Sequence, residues 1–278
     1  MRLLLASLLG LLAAACSPLA LLNAAVPARG YTLEEGIAYG PLARQKLDVY
    51  RPDPAAFPGV RPVIVFYYGG AWQGGERGDY KFVGEALTSR GFVVVVPDYR
   101  VYPEVKYPEF VRDAAAAFAW SVREATRFGG NPAHVVAMGH SAGAHIAAML
   151  AYNERFLKEV GLAPAAVHSL IGLAGPYDFK PDEPEIQALM SGEGDTDLAM
   201  PAHFVKPGAP PALLLQGDSD KRVSPLNQRK LVARLTAAGD SVDARILPGY
   251  GHPGILAKIA RPIRDDRLLE AIAGFAAR

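Results

Sequence analysis

Cysteine is nearly missing from this chain: Cys16 is the single one in 278 residues. An intrachain disulfide is therefore excluded, as is a thiolate metal cluster, and the fold has to hold by packing alone. Charge imbalance is missing too. Lys and Arg total 29 against 28 Asp and Glu, which argues against a nucleic-acid partner or a polybasic membrane surface. From Tyr31 onward there is no internal repeat, charge run or low-complexity linker, so the rest reads as one continuous domain. Apolar material is abundant. Half of the residues are hydrophobic, enough for a sizeable core.

The first apolar run stands at the start. Arg2 is followed by fourteen uncharged, mostly apolar residues, 3–16, ending in alanines and Cys16, the layout of a secretory signal. The placement of Cys16 resembles a bacterial lipobox, in which the cysteine is lipidated and becomes the mature N-terminus, with Ala13 where leucine is more usual. Two alternatives rank below it: ordinary cleavage near Ala25 or Ala28, and retention of residues 3–26 as an anchor interrupted by Pro18 and Asn23. Residues 1–28 are thus a signal or lipoprotein segment with an N-terminal tail. All three routes put residues 29–278 outside the cytoplasm, in the periplasm or cell envelope or secreted.

Within residues 29–278, short apolar runs alternate with helical stretches. Strands are expected at 45–50, 63–68, 92–96, 134–138, 167–173, 212–216 and 242–247, and helices near 80–90, 109–128, 144–151, 224–238 and from 265 onward. Continuous apolar strands separated by helices predict an α/β fold, with one doubly wound, mostly parallel sheet of about eight strands. Residues 176–210 are too long for an ordinary connection and are expected to form a small cap.

Gly139-His140-Ser141-Ala142-Gly143 joins the strand at 134–138 to the helix at 144–151. A strand that turns into a helix within one residue strains that residue and crowds its flanks, and glycine two before and two after removes the clashes. This is the G-x-S-x-G elbow, which lifts a serine hydroxyl above the sheet and aims the following N–H, here of Ala142, at a developing oxyanion. A serine needs a base, and the base needs an acceptor to orient it. Both follow later strands. Gly217-Asp218-Ser219-Asp220 comes after 212–216 and Gly249-Tyr250-Gly251-His252 after 242–247. His252 in its glycine-flanked turn is the candidate base, whereas His134, His140, His145 and His168 lie in or beside regular elements and read as core or supporting residues. Asp218 and Asp220 compete for the acid; an aspartate at 218 is suited to tying its own loop in an Asx-turn, which favours Asp220. Gly69-Gly70-Ala71 follows the strand at 63–68 and is the candidate source of further oxyanion donors, with Trp72 and Tyr68 beside it as candidate substrate-wall residues.

These motifs together resemble α/β-hydrolases of the carboxylesterase type, the broad group with hormone-sensitive-lipase-like, bacterial feruloyl-esterase-like and kynurenine-formamidase-like enzymes. The resemblance runs from about Tyr39 to the C-terminus. It includes Leu47-Asp48-Val49-Tyr50-Arg51-Pro52, Tyr68-Gly69-Gly70-Ala71-Trp72, Asp98-Tyr99-Arg100, the elbow, Gly217-x-x-Asp220-x-x-Val223 and Gly249-x-x-His252. It implies Ser141 as nucleophile, Asp220 as acid, His252 as base, and N–H donors from Gly70, Ala71 and Ala142. One departure stands out: the group's loop usually begins with histidine, and here Tyr68 occupies that place, with Ala71 for the third glycine.

The expected function is a serine esterase acting on small or medium soluble esters, with no metal or organic cofactor and a possible lipid anchor at Cys16. Two alternatives keep the fold: an amide or formamide hydrolase or polysaccharide deacetylase on the same residues, and a non-catalytic envelope binding protein, which Tyr68 alone favours.

Overall fold

The computed structural model describes residues 18–278. The lipobox and the apolar run before it lie outside the described residues, and among the described residues no helix is long and apolar enough to cross a membrane. Eight strands form one sheet: β1 (Tyr31–Ala38), β2 (Lys46–Pro52), β3 (Arg61–Tyr67), β4 (Val93–Pro97), β5 (Gly130–His140), β6 (Ser169–Leu173), β7 (Ala212–Gly217) and β8 (Val242–Leu247). Their order is β1-β2-β4-β3-β5-β6-β7-β8. The first three in space pair antiparallel, and from β4 to β8 every neighbour is parallel. The chain has the α/β-hydrolase fold.

Helices cover both faces, which is why the central strands are apolar throughout. All five residues of β4 are buried, as are Val135, Val136, Ala137 and Met138 of β5. The helices are α1 (Pro18–Ala24), α2 (Lys81–Thr88), α3 (Glu109–Glu124), α4 (Ala142–Tyr152), α5 (Glu154–Glu159), α6 (Pro184–Met190), α7 (Leu226–Ala238), α8 (Gly254–Ala257) and α9 (Asp266–Ala276). α2 packs with α9, and α3 packs with α4 and α5. Leu268, Leu269, Ile272, Ala273 and Phe275 are the buried face of α9, as their spacing predicts.

The strand order fixes where a site can be. After β3 the chain crosses through α2 to β4 on one side, and after β5 it crosses through α4 to β6 on the other. β3 and β5 are therefore neighbours whose loops diverge, and a crevice opens between them at their C-terminal ends.

β1 is the strand that the hydrophobic pattern does not announce. Glu34, Glu35 and Gly36 interrupt it, and its register slips between Glu34 and Ile37. Gly36 sits at φ +70° in this bulge, and its N–H donates to Asp48 Oδ1 on β2 at 2.8 Å. The segment 176–210 consists of α6 and three 3₁₀ turns, Ser191–Glu193, Thr196–Ala199 and Pro201–Phe204. It is tied down by buried Leu189, Met190, Ala199 and Met200, by Tyr107 N–H donating to Leu189 O at 3.0 Å, and by the His145 ring, whose Nε2 lies 2.6 Å from Ala199 O. At the other end of the chain, Leu19, Leu22 and Val26 pack against the core. Asn23 clamps the start of α2, donating to Gly78 O at 2.8 Å and accepting from Phe82 N–H at 3.2 Å.

Candidate active site

Ser141 stands between β5 and α4 at φ 55°, ψ −122°, a backbone conformation that side chains other than glycine rarely adopt. Its neighbours explain the two glycines. A Cβ on Gly143 would run into the carbonyl oxygen of Tyr67, and one on Gly139 into that of Gly143. Ser141 N–H donates to Leu173 O at 2.9 Å, which anchors the turn to the end of β6.

The loops after β7 and β8 converge on the elbow. His252 Nε2 lies 2.8 Å from Ser141 Oγ, and Nδ1 lies 2.8 Å from Asp220 Oδ2. An ionised carboxylate only accepts, so Nδ1 carries the proton and Nε2 is left to receive one from the hydroxyl. Burial acts to raise the Asp220 carboxyl, but the Val223 N–H, the His252 ring and the Arg222 N–H outweigh it and hold it below the usual carboxylate range. Four hydrogen bonds reach its oxygens: Oδ1 accepts from Arg222 N and Val223 N at 2.8 and 2.9 Å, and Oδ2 accepts from His252 and from Gln216 Nε2 at 2.9 Å. Asp218 is exposed and has a different task. Its Oδ1 accepts from Gly249 N–H at 2.8 Å and so laces the acid loop to the histidine loop.

After β3 the chain turns tightly, with Gly70 at φ +130° and Ala71 and Trp72 at φ 52° and 58°. A Cβ on Gly70 would strike Gly74 O, so the second glycine is obligatory. Gly70 O accepts from Gln73 and Gly74, and Trp72 O accepts from Tyr102 N–H at 2.8 Å, which pins the strained peptides. Among the described residues, the N–H groups of Gly70, Ala71 and Ala142 have no acceptor within the protein.

Tyr68 does not stand on the crevice wall. It is fully buried behind the loop, its ring stacked between Tyr80 at 5.1 Å and Tyr99 at 4.7 Å. The expectation that Tyr68 contacts substrate is therefore corrected: a side chain at the end of a strand buried on both faces points into the core. It braces the loop instead. Its hydroxyl donates to Asp98 Oδ1 at 2.8 Å and accepts from Arg44, while Tyr99 donates to Tyr68 O at 2.7 Å. Arg44 also donates to Tyr99 O and to Gly75 O, and Asp98 receives Arg77. Arg44, Asp98 and Gln216 are supporting residues that sequence reasoning missed. Asp98 belongs to Asp98-Tyr99-Arg100, and an acidic residue directly after the buried strand Val93–Pro97 is its signal in the sequence.

The crevice has a volume of about 910 Å³, and Ser141 and His252 are among the residues that line it. Ala71, Trp72 and Val223 line one part of it, and the 176–210 segment closes another through Phe179 and Ile186. Trp72 is held rigidly, stacked on Phe179 at 6.1 Å and edge-on to His145 at 5.1 Å. Lys180, Asp182, Glu183, Lys221 and Arg222 make its rim mixed in charge. Among the described residues, no group of three His, Cys, Asp or Glu side chains is placed to hold a metal ion.

The BD-FAE family profile matches residues 47–235. A probable isoprenylcysteine alpha-carbonyl methylesterase of Oryza sativa subsp. japonica is 28% identical over 262 residues, covering 85% of this chain and 60% of that protein. Esterase LipC of Mycobacterium tuberculosis is 30% identical over 245 residues, covering 81% of this chain and 60% of its own length. The chain thus spans about 60% of the length of these curated relatives. Among solved structures, esterase B of Lactobacillus rhamnosis superposes with a TM-score of 0.80 at 21% identity, covering 98% of this chain and 96% of that one, a likeness of fold.

Proposed function

The chain belongs to the BD-FAE family, and from that premise we propose that it is a serine carboxylesterase hydrolysing small to medium carboxylic esters through an acyl-enzyme. The observation that carries the reading is the chain of two 2.8 Å contacts from Asp220 through His252 to Ser141, laid beside free N–H groups. Ser141 Oγ attacks the ester carbonyl carbon while His252 Nε2 takes its proton. The carbonyl oxygen becomes an oxyanion that the N–H groups of Ala142, Ala71 and Gly70 are available to receive. His252 then returns the proton to the departing alcohol, leaving Ser141 acylated. Water repeats the sequence: His252 takes its proton, the hydroxyl adds to the acyl carbon, and the acid leaves as Ser141 recovers its proton. Asp220 holds the imidazole in its Nδ1–H form throughout and stabilises the imidazolium. The bracing of Tyr68 supports this over a non-catalytic binding protein, because the one atypical residue is tied into the loop rather than blocking it.

The wild-type protein is expected to label with a fluorophosphonate probe and to turn over p-nitrophenyl acetate and butyrate, with slower cleavage of the matching aryl amides and of acetylated glycans. Absence of labelling overturns the esterase reading, and a preference for amides or glycans replaces it with the corresponding alternative.

The same proposal includes export, with Cys16 lipidated. Arg2 and the apolar run up to Cys16 support it. So does the docking of α1, since Asn23 and its neighbours belong to the folded domain and a cut near Ala25 or Ala28 would remove them. Mass spectrometry of the mature N-terminus should find a lipid-modified Cys16. A start after residue 25, or an unmodified Cys16, overturns it.

A further inference from the structure

His140, the residue preceding Ser141, has no part in the proton transfers above, yet it sits where the three functional loops meet. Its side chain is buried, and its Nε2 lies 2.9 Å from the main-chain carbonyl oxygen of His252. A carbonyl accepts and cannot donate, so that bond exists only if Nε2 carries the hydrogen. On the other side, the ring borders the oxyanion loop: a Cβ placed on Gly69 would fall 3.2 Å from His140 Nδ1 and 3.1 Å from His140 O. One imidazole therefore touches the loop that supplies the base and the strand end that supplies the oxyanion donors, while its own backbone leads into the nucleophile.

The local chain shows what such a tie adds. The turn that carries His252 is held on both sides of that residue: Gly249 N–H donates to Asp218 Oδ1 at 2.8 Å and Ser219 N–H to Tyr250 O at 3.1 Å before it, and Gly251 O accepts from Ile255 N–H at 3.2 Å. Those bonds hold the neighbours of His252, while at His252 itself Asp220 orients the ring through Nδ1 and His140 engages the main-chain carbonyl. With the ring held at one end and the carbonyl of the same residue at the other, the imidazole is fixed at two points.

We propose that His140 is a positioning residue for the base, its Nε2–H holding the His252 main chain so that the imidazole stays in line between Asp220 and Ser141. The rings are 5.0 Å apart. A charge on His140 would oppose the imidazolium that His252 becomes during the reaction, and its surroundings prevent that charge: burial first, then the nearby His252, push its pKa down to about 4. The charged or titratable groups that bear on His140 are His252 and Asp220.

This inference rests on the esterase reading, and its test separates the two. His140→Leu removes the donor, and His140→Gln keeps an N–H of similar reach. A misplacement of about 1 Å in such a site costs on the order of 100-fold in rate. The leucine variant is therefore expected to lose roughly 10- to 100-fold in kcat, with KM changed less than about threefold and fluorophosphonate labelling slowed in parallel. The glutamine variant should recover most of that loss. A folded leucine variant with wild-type kcat, or a glutamine variant as slow as leucine, overturns the proposal. Should the leucine variant fail to fold, the histidine side-chain nitrogens of the wild type decide by NMR: His140 must show the Nε2–H tautomer with its proton protected, and an Nδ1–H tautomer ends the case. A wild type without ester turnover or labelling instead sinks the esterase reading, and the tautomer measurement still reports on the tie.

Discussion

Ser141→Ala is expected to cut hydrolysis of p-nitrophenyl acetate by about 10⁴-fold or more, leaving only what binding and the N–H groups achieve without a nucleophile. The variant should fold, because alanine keeps the Cβ and fills the same space. It also keeps the strain, since Ser141 sits at φ 55°. Ser141→Gly is equally inactive but relieves that strain, worth about 1–3 kcal/mol, against an entropic cost of glycine of about 0.5–1 kcal/mol. Both variants lose the same contact to His252, so the difference between them isolates the backbone. The glycine variant should melt about 2–4 °C above the alanine variant, by calorimetry. Equal melting temperatures would mean that the strain is no larger than the entropic cost of glycine, about 0.5–1 kcal/mol. Wild-type turnover by either variant would remove Ser141 from the chemistry.

The elbow was legible because its chemistry is local: the residues that strain the turn, relieve it and use it are five neighbours in the chain. The meeting of 141, 220 and 252 was legible for another reason. Each follows the C-terminal end of a strand, and parallel strands put all such ends on one rim. What stayed hidden depends on contacts across the fold. β1 is an edge strand whose Glu34, Glu35 and Gly36 serve a bulge tied to Asp48, so its pattern shows no alternation to read. From its chain neighbours Tyr68 reads as a wall of the crevice, because nothing in the sequence says that Tyr80 and Tyr99 enclose its ring. Arg44 comes from a loop 24 residues earlier than the tyrosine it holds, outside every motif. The choice between Asp218 and Asp220 shows both sides of this. An Asx-turn expected at 218 favours Asp220 as the acid, yet in the structure Asp220 itself binds the backbone two residues on, and Asp218 reaches across to Gly249.

Acid should begin to destabilise this protein at pH values above those at which its carboxylates titrate, and His140 and His145 supply most of the loss. His140 and His145 are both pushed down to about 4 from an ordinary 6.5, in each case chiefly by burial. An unfolded chain restores the ordinary value. Between pH 6.5 and 4 the unfolded state therefore binds protons that the folded state refuses, so stability is complete above 6.5 and falls as the pH drops through this window. At 1.36 kcal/mol per pKa unit, each histidine contributes at most roughly 3 kcal/mol, a large share of a typical domain's total. Asp48 works in the opposite direction, since burial raises its carboxyl. The two histidines differ in what they hold. His140 ties the base loop, and His145 joins α4 to the 176–210 segment through Ala199 O, with Nδ1 left unpartnered. Urea unfolding at a series of pH values should show the loss, and His145→Gln should flatten it by about half, because glutamine can donate to Ala199 O without titrating. A wild-type curve that is level from 6.5 to 4, or a glutamine variant with an undiminished slope, would mean that these rings accept protons in place and that neutrality is not a condition of the fold.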